Sequence, residues 1–275
     1  MANQIASQVE EVLGSLNVKV IYCDQTHKRK RRNTKKTYSD KYVMSNTDLL
    51  IAIGGDGTLI SASRKFGYSG IPVLGINLGK VGFLTDIPPE DLTTKLIEII
   101  NGNFIEDKRI FLEGKIDDKR QSNIALNEIV IHSSEIAQLI QYEVFIDDCF
   151  VYRQRADGIL ITTATGSTAY SLSGNGPIIH PGVDGIILMP MFAHSLNTRP
   201  LVVNDNSVVT IRIIQKGNVG ISFDSHNTLN LKPDNEITIV KAQSKLTLIH
   251  PNNHDYFDAY RTKLGWSLGV PQIRS

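Results

Sequence analysis

Five consecutive apolar residues, Leu49-Leu50-Ile51-Ala52-Ile53, run straight into Gly54-Gly55-Asp56-Gly57-Thr58. A short apolar run without alternation is the pattern of a strand buried on both faces of a parallel sheet. Glycines let the backbone turn sharply and approach a ligand closely. A helix expected from about Leu59 would point its unpaired amide hydrogens back at this turn, which favours phosphate. An acid in such a turn is out of keeping with anion binding unless it serves chemistry or a metal. The bland alternative is an Asp-Gly turn that closes a strand. The pattern is neither the spaced GxGxxG of dinucleotide-binding folds nor a Walker A loop, because no Gly-Lys-Ser/Thr follows.

The surrounding chain alternates helix and strand. Ile5, Val9, Val12, Leu13 and Leu16 recur at spacings that place them on one helical face. Residues 18–22 read as a strand, 24–46 as a polar loop containing the basic run at 28–36, and 73–76 as a second buried strand. Pro88-Pro89-Glu90-Asp91 opens a helix that Gly102 closes. This order predicts an α/β N-terminal domain with a parallel sheet over 1–107. After Lys108, stretches rich in β-branched residues dominate: 124–126, 129–131, 142–146, 208–213, 237–240 and 246–248. They predict a β-rich, antiparallel C-terminal domain over 108–254, with Asp147-Asp148 as a turn. The tail at 255–275 returns to helical spacing and is expected to pack back on the first domain.

Composition narrows the function classes. A net charge of +1 gives no overall field toward nucleic acid or a membrane. No apolar run is long enough to span a bilayer, and Met1-Ala2-Asn3-Gln4 does not open a signal peptide. Cys23 and Cys149 lack CxxC spacing, which fits reduced thiols in a cytoplasm. The seven histidines show no HExxH or similar spacing, so no metal ligand is assigned.

Three further motifs stand out. Asn77-Leu78-Gly79-Lys80-Val81-Gly82-Phe83-Leu84-Thr85 follows a strand and reads as a pocket wall or a flexible connection. Leu126-Asn127-Glu128-Ile129-Val130 carries two adjacent polar residues inside an apolar stretch, where alternation explains only one. Their side chains could take ribose hydroxyls, or they could mark an edge or bulge. The run from Arg155-Ala156-Asp157-Gly158 to Thr165-Gly166-Ser167-Thr168-Ala169-Tyr170-Ser171-Leu172-Ser173 ends a strand in hydroxyls and a glycine ahead of a helix. This reads as a second anion- or ribose-binding turn or as a hydroxyl-rich cap. It lacks GxSxG spacing for a serine nucleophile.

In this order the motifs resemble the NAD kinase family. The resemblance runs from Gly54-Gly55-Asp56-Gly57 through Asn77-Leu78-Gly79, Gly82-Phe83-Leu84-Thr85-Asp86, Asn127-Glu128, Arg155-Ala156-Asp157-Gly158 and the run ending in Ser171. Gly176-Pro177-Ile178 and Lys263-Leu264-Gly265-Trp266 complete it, so that it covers about 48–266. The resemblance implies a transferase that moves a phosphoryl group from ATP to the 2′-hydroxyl of the adenosine ribose of NAD, giving NADP. It implies a divalent metal cation, Mg2+, small-molecule nucleotides as partners, and a cytoplasmic homo-oligomer. Asp56 would accept the proton and, with Gly57, line the NAD site. Asn127 and Glu128 would contact NAD, Arg155 and Asp157 would shape the site, and Thr168, Ala169, Tyr170, Ser171, Leu172 and Ser173 would line it. Gln138 and His226 align by spacing with further NAD contacts, although the family often has Gln where His226 stands.

Two departures are visible. Ala164 stands where the family has proline, and Met1 falls within the first helix, so the strand that opens the family's parallel sheet is expected to be absent. The Gly-Gly-Asp-Gly-Thr run also suits a diacylglycerol-type lipid kinase. A non-catalytic NAD-binding regulatory protein would share the binding residues.

Overall fold

The computed structural model describes residues 1–23, 38–79, 82–117, 122–135, 138–193, 195, 197–214 and 218–266. The basic run at 28–36 lies outside them. The chain forms two compact units, 1–108 with 246–275, and 109–245.

In the first unit, α1 (Ala2–Ser15) buries Ile5, Val9, Val12 and Leu13, the face its spacing predicts. The expected strand at 18–22 does not form. Val18 and Val20 pack against the core, but only Tyr22 makes a β-bridge and no strand is built on it. A strand needs a backbone partner as well as apolar side chains. A short helix, α2 (Asp40–Ser45), is capped by the Ser39 side chain, which accepts from Tyr42 N–H. β1 (Leu50–Ile53) leads into α3 (Asp56–Lys65), and β2 (Val73–Ile76) pairs with β1 in parallel, Leu50 opposite Val73 and Ile53 opposite Ile76. α4 (Leu92–Ile100) ends before Gly102, whose φ of +87° suits a residue without Cβ. One apolar cluster joins α1 to Leu74, Ile76, Ile87, Leu92, Leu96, Ile99 and Ile249.

From Phe104 the chain turns to strands: β3 (Phe104–Ile116), β4 (Asn123–Ala125), β5 (Glu128–Ser133), β6 (Ile140–Ile146), β7 (Cys149–Ala156) and β8 (Gly158–Thr163). Asp147 and Asp148 both take positive φ, as a two-residue hairpin between β6 and β7 requires. A 3₁₀ turn, Thr165–Thr168, and α5 (Tyr170–Ser173) follow β8. The helix expected after the hydroxyl run is thus only four residues long. β9 (Gly185–Met191), β10 (Leu201–Asn204), β11 (Val209–Ile213), β12 (Val219–Phe223) and β13 (His226–Leu231) come next. Within the second unit, β10-β9-β8-β5-β12-β13 form an antiparallel sheet. β7, β6, β11 and the first half of β14 (Glu236–Pro251) form another antiparallel array. Ile129, Ile131, Ile159, Ile161, Val144, Ile211, Ile237 and their neighbours make the apolar core of this unit.

The segments expected as separate strands at 237–240 and 246–248 are one continuous strand, β14. From Leu246 its residues belong to the first unit, where Leu248 and Ile249 pair in parallel with Val73 and Leu74 of β2. The sequence reading places this return at 255. α6 (Tyr256–Leu264) also belongs to the first unit and ends at Gly265 in the left-handed region. No helix among the described residues is long and apolar enough to cross a membrane.

Leu96 is fully buried in the first unit's core. Leu96→Ala is expected to cost about 2–5 kcal/mol, the range for a truncated core leucine. A lower urea midpoint for the first unit's transition checks it.

Candidate active site

The Asp56 turn is built by close backbone approach. Gly54 N–H donates to Ile76 O at 2.9 Å, tying the turn to the end of β2. A Cβ at Gly54 would lie 2.3 Å from Thr58 Oγ1, so the position excludes larger residues. α3 begins at Asp56 itself rather than at Leu59. An acid in the first turn is favoured by the helix dipole.

The Asp56 carboxylate is held by the second glycine motif. Phe83 N–H donates to Oδ2 at 2.9 Å; Leu84 N–H and Thr85 Oγ1–H donate to Oδ1 at 3.2 Å each. Asn77 Nδ2 donates to Thr85 Oγ1 at 2.8 Å, and Gly79 N–H donates to Asn77 Oδ1 at 2.7 Å. Because Asn77 supplies a donor to the Thr85 oxygen, the single Thr85 proton is directed at Asp56. Each carboxylate oxygen has two acceptor sites. Among the described contacts Oδ1 uses both and Oδ2 uses one, which leaves one open site on Oδ2. A Cβ on Gly82 would fall 1.8 Å from Asp56 Oδ1, so only glycine leaves room for this carboxylate.

In the second unit another carboxylate does the organising. Asp224 is buried, with Oδ2 accepting from Leu126 N–H at 2.8 Å and Oδ1 from Asn127 N–H at 2.7 Å and Glu128 N–H at 3.1 Å. Its own N–H donates to Glu128 O at 3.0 Å. Asp224 takes a φ of +49°, in the left-handed region that Asp tolerates better than most residues. This clamp explains the adjacent polar pair. Asn127 and Glu128 are both buried; Asp224 takes both of their N–H groups, and β8 supplies donors to the carbonyls of Leu126 and Asn127. Thr163 N–H and Thr162 Oγ1–H donate to Asn127 O at 2.9 and 2.8 Å, and Thr163 Oγ1–H donates to Leu126 O at 2.7 Å. Gly166 packs so closely that a Cβ would lie 2.3 Å from Asn127 O. The hydroxyls of Thr162, Thr163 and Ser167 are therefore turned to backbone groups. Arg109, also buried, donates to Thr165 Oγ1 at 3.2 Å.

What this clamp leaves open is chemically specific. Asn127 Oδ1 and Glu128 Oε2 are buried without a hydrogen-bond partner. Burial, then the nearby Asp224 charge, raises the Glu128 carboxyl to about 8. At neutral pH Glu128 therefore carries a proton and can donate as well as accept.

The residues singled out by sequence fall into distinct groups. Asp56 and Gly57 lie at the start of α3 in the first unit. Asn127, Glu128 and His226 gather around Asp224 in the second, His226 Nδ1 lying 2.6 Å from Asp224 O. Gln138, Asp157 and Tyr170 line a cavity of about 540 Å³ in that unit, beside His132, Ser222 and Thr228. Thr168 is half-buried and its Oγ1 donates to Thr165 O; Ala169 and Leu172 are half-buried, Ser171 is buried and Ser173 exposed. Arg155 stands apart, exposed on β7 opposite Gln141. Sequence reasoning missed the supporting roles of Asn77, Gly82, Thr85 and Asp224. The glycine motif at 77–85 signalled the first three; nothing local signalled Asp224.

Glu128 supplies a pH test. Its folded carboxyl keeps a proton up to about 8, whereas the unfolded group releases it near 4.5. The folded state binds more protons across that window, so stability falls as pH rises through it and the loss is complete above it. Glu128→Gln removes this titration. Relative to wild type it is expected to gain stability between about pH 5 and pH 8, by up to a few kcal/mol, in urea unfolding at the two pH values.

Comparison with known proteins agrees with this arrangement. Residues 1–104 match the family model of the ATP-NAD kinase N-terminal domain, and 126–251 match that of the ATP-NAD kinase C-terminal domain. The second match covers the residues that a lipid-kinase reading leaves unexplained. The NAD kinase of Chromohalobacter salexigens is 46% identical over 225 residues, 80% of this chain and 77% of that one. The NAD kinase of Marinobacter nauticus is 39% identical over 265 residues, 94% of this chain and 90% of that one. Among solved structures, yeast NADH kinase complexed with NADH superimposes with a TM-score of 0.86 at 26% identity, covering 99% of this chain and 86% of the other. An Archaeoglobus fulgidus NAD kinase in complex with ATP gives 0.77 at 26% identity, covering 94% and 93%. On both domains, the chain belongs to the NAD kinase family.

Proposed function

We propose that this chain transfers the γ-phosphoryl group of ATP to the 2′-hydroxyl of the adenosine ribose of NAD, giving NADP and ADP. Family membership supports the reaction. The observation that carries the role of Asp56 is its carboxylate, fixed by three donors and left with one open acceptor site on Oδ2. The 2′-hydroxyl proton passes to that oxygen as the hydroxyl oxygen bonds to the γ-phosphorus. The bond from the γ-phosphorus to the bridging oxygen breaks, and ADP leaves with the electron pair. Phosphoryl transfer of this kind rests mostly on positioning and charge neutralisation. A divalent cation, Mg2+, which the family resemblance implies, would supply charge neutralisation to the transferred phosphoryl group.

Asn127 Oδ1 and Glu128 Oε2 are suited to hydroxyl and amide groups of NAD, because each is a buried oxygen without a partner. Gly57 lines the NAD site beside Asp56. Gln138, Asp157 and Tyr170, which line the cavity of the second unit, offer polar and aromatic surface to a nucleotide. Thr168, Ala169, Ser171, Leu172, Ser173, Arg155 and His226 complete the proposed contact set on the strength of the family resemblance. A cytoplasmic homo-oligomer belongs to the same reading.

Two variants test the role of Asp56 in an assay that couples NADP formation to a reporter dehydrogenase. Asp56→Asn keeps the size of the side chain and removes the base, and kcat is expected to fall by about 10²–10⁴-fold. Near wild-type turnover would exclude Asp56 as proton acceptor. Gly82→Ala leaves Asp56 chemically intact but displaces it. A loss of about 100-fold is expected, the scale of an ångström-sized misplacement, with an unchanged circular dichroism spectrum.

A further inference from the structure

Next to the loop that holds Asp56 lies a cluster that phosphoryl transfer does not use. Asp86 directly follows Thr85. Its Oδ2 lies 2.9 Å from His250 Nδ1 and 2.8 Å from His254 Nδ1. The two imidazoles stack with centroids 4.0 Å apart, so both rings present the same nitrogen to one carboxylate oxygen. One ligand atom from each of the three residues lies within 4.8 Å of the others. His250 is 1% exposed, and its second nitrogen, Nε2, has no hydrogen-bond partner. Asp107 Oδ2 stands 3.6 Å from that nitrogen. Asp86 Oδ1 is likewise buried without a partner. A cavity of about 330 Å³ opens beside the cluster, lined by Asp86, His254, Asp91, Asp255 and Asp258 as well as Lys95. Asp255 and Asp258 are paired with Arg261, so Asp86 and Asp91 carry the negative charge that this wall offers a cation.

The arrangement poses a problem of proton placement. If both Nδ1 atoms donate to Asp86 as neutral imidazoles, His250 Nε2 is a bare acceptor facing the Asp107 carboxylate, which is repulsive. One solution is a charged ring. Burial alone would push His250 down, but Asp107 and Asp86 outweigh it and raise the group to about 9. The other solution is a metal on the two Nδ1 lone pairs and the Asp86 oxygen. His250 Nε2–H then donates to Asp107, the carboxylate–histidine pairing that orients metal-bound imidazoles. This places a donor or a ligand on both nitrogens of His250, on His254 Nδ1 and on Asp86 Oδ2. Zinc distances of about 2.0–2.2 Å to nitrogen and oxygen put tetrahedral ligands about 3.3 Å apart, so Asp86 Oδ2 and the two Nδ1 atoms, 2.9 and 2.8 Å from it, would open slightly to admit the ion.

We propose that Asp86, His250 and His254 form a binding site for a divalent transition-metal ion of the zinc type, with its fourth position toward the cavity. Two imidazoles and a carboxylate suit zinc better than magnesium, which prefers oxygen donors. The site is distinct from the Mg2+ that accompanies ATP. An ion there joins the end of β14 to the loop that supplies Phe83 N–H, Leu84 N–H and Thr85 Oγ1–H to Asp56. It acts as a staple behind the catalytic carboxylate and takes no part in the transfer itself.

Cobalt(II) titration of the chelator-treated full chain tests the site through the visible d–d bands of low-coordinate cobalt. Wild type is expected to take up one equivalent with intense bands that Zn2+ bleaches and Mg2+ does not. His254→Ala removes an accessible ligand and is expected to abolish the bands while its thermal midpoint shows that it folds. Asp107→Asn keeps all three ligands and is expected to weaken cobalt binding by about 10–100-fold. Wild type without stoichiometric bands, or bands that survive in His254→Ala, would overturn the site and leave a hydrogen-bonded clamp built on a charged His250.

Discussion

In each of the two units a carboxylate organises a loop by accepting backbone N–H groups. Asp56 does so for Phe83 and Leu84, and Asp224 for Leu126, Asn127 and Glu128. The bonds are charge-assisted, and they hold main chain rather than long side chains. A loop fixed in this way loses little further entropy when a ligand arrives. The device also sets the chemistry of what remains. With three of its four acceptor sites in use, Asp56 has one left to offer. Burial, and then the Asp224 charge beside it, raises the Glu128 carboxyl to about 8, unlike an ordinary surface glutamate.

Glycine and threonine make these carboxylate contacts possible. Gly82 exists because the Asp56 oxygen occupies the place of a Cβ, and Gly166 because the Asn127 carbonyl does. Thr85, Thr162 and Thr163 each turn a hydroxyl toward a buried acceptor, where an unpaired polar atom would cost about 1–3 kcal/mol. The hydroxyls of β8 thus serve the backbone carbonyls of Leu126 and Asn127, while the side chains of Asn127 and Glu128 keep their open oxygens. The loop after Gly82 serves twice. Its amides and Thr85 face Asp56, and its last residue, Asp86, faces the two stacked imidazoles.

Much of the fold was legible because it rests on local periodicity. The apolar spacing of α1, the uninterrupted run of β1, the Asp147-Asp148 hairpin and the glycine stop after α4 all follow from residues within a few positions of one another. The failures share a cause. Residues 18–22 have strand-like side chains, but only Tyr22 makes a β-bridge and no strand forms there. The dip in apolar character between 240 and 246 reads as a break, yet β14 continues through it because neighbouring strands supply its pairing. The hydroxyl run after β8 reads as a helix start, but its side chains satisfy backbone groups beside it and only a short helix follows.

By itself the sequence determined which groups are candidates for the chemistry: an acid at the end of a buried strand, a polar pair inside an apolar one, and glycines wherever backbone must come close. It could do so because side-chain period and glycine freedom act over a single turn or strand. The tertiary structure alone decided what holds these groups. Asp56 meets donors 27 to 29 positions away, Asp224 reaches back 96 to 98 positions, and His250 stands 164 positions from Asp86. No local pattern encodes such pairings, because they form only when packing brings distant backbone together and leaves a buried carboxylate as the acceptor at hand.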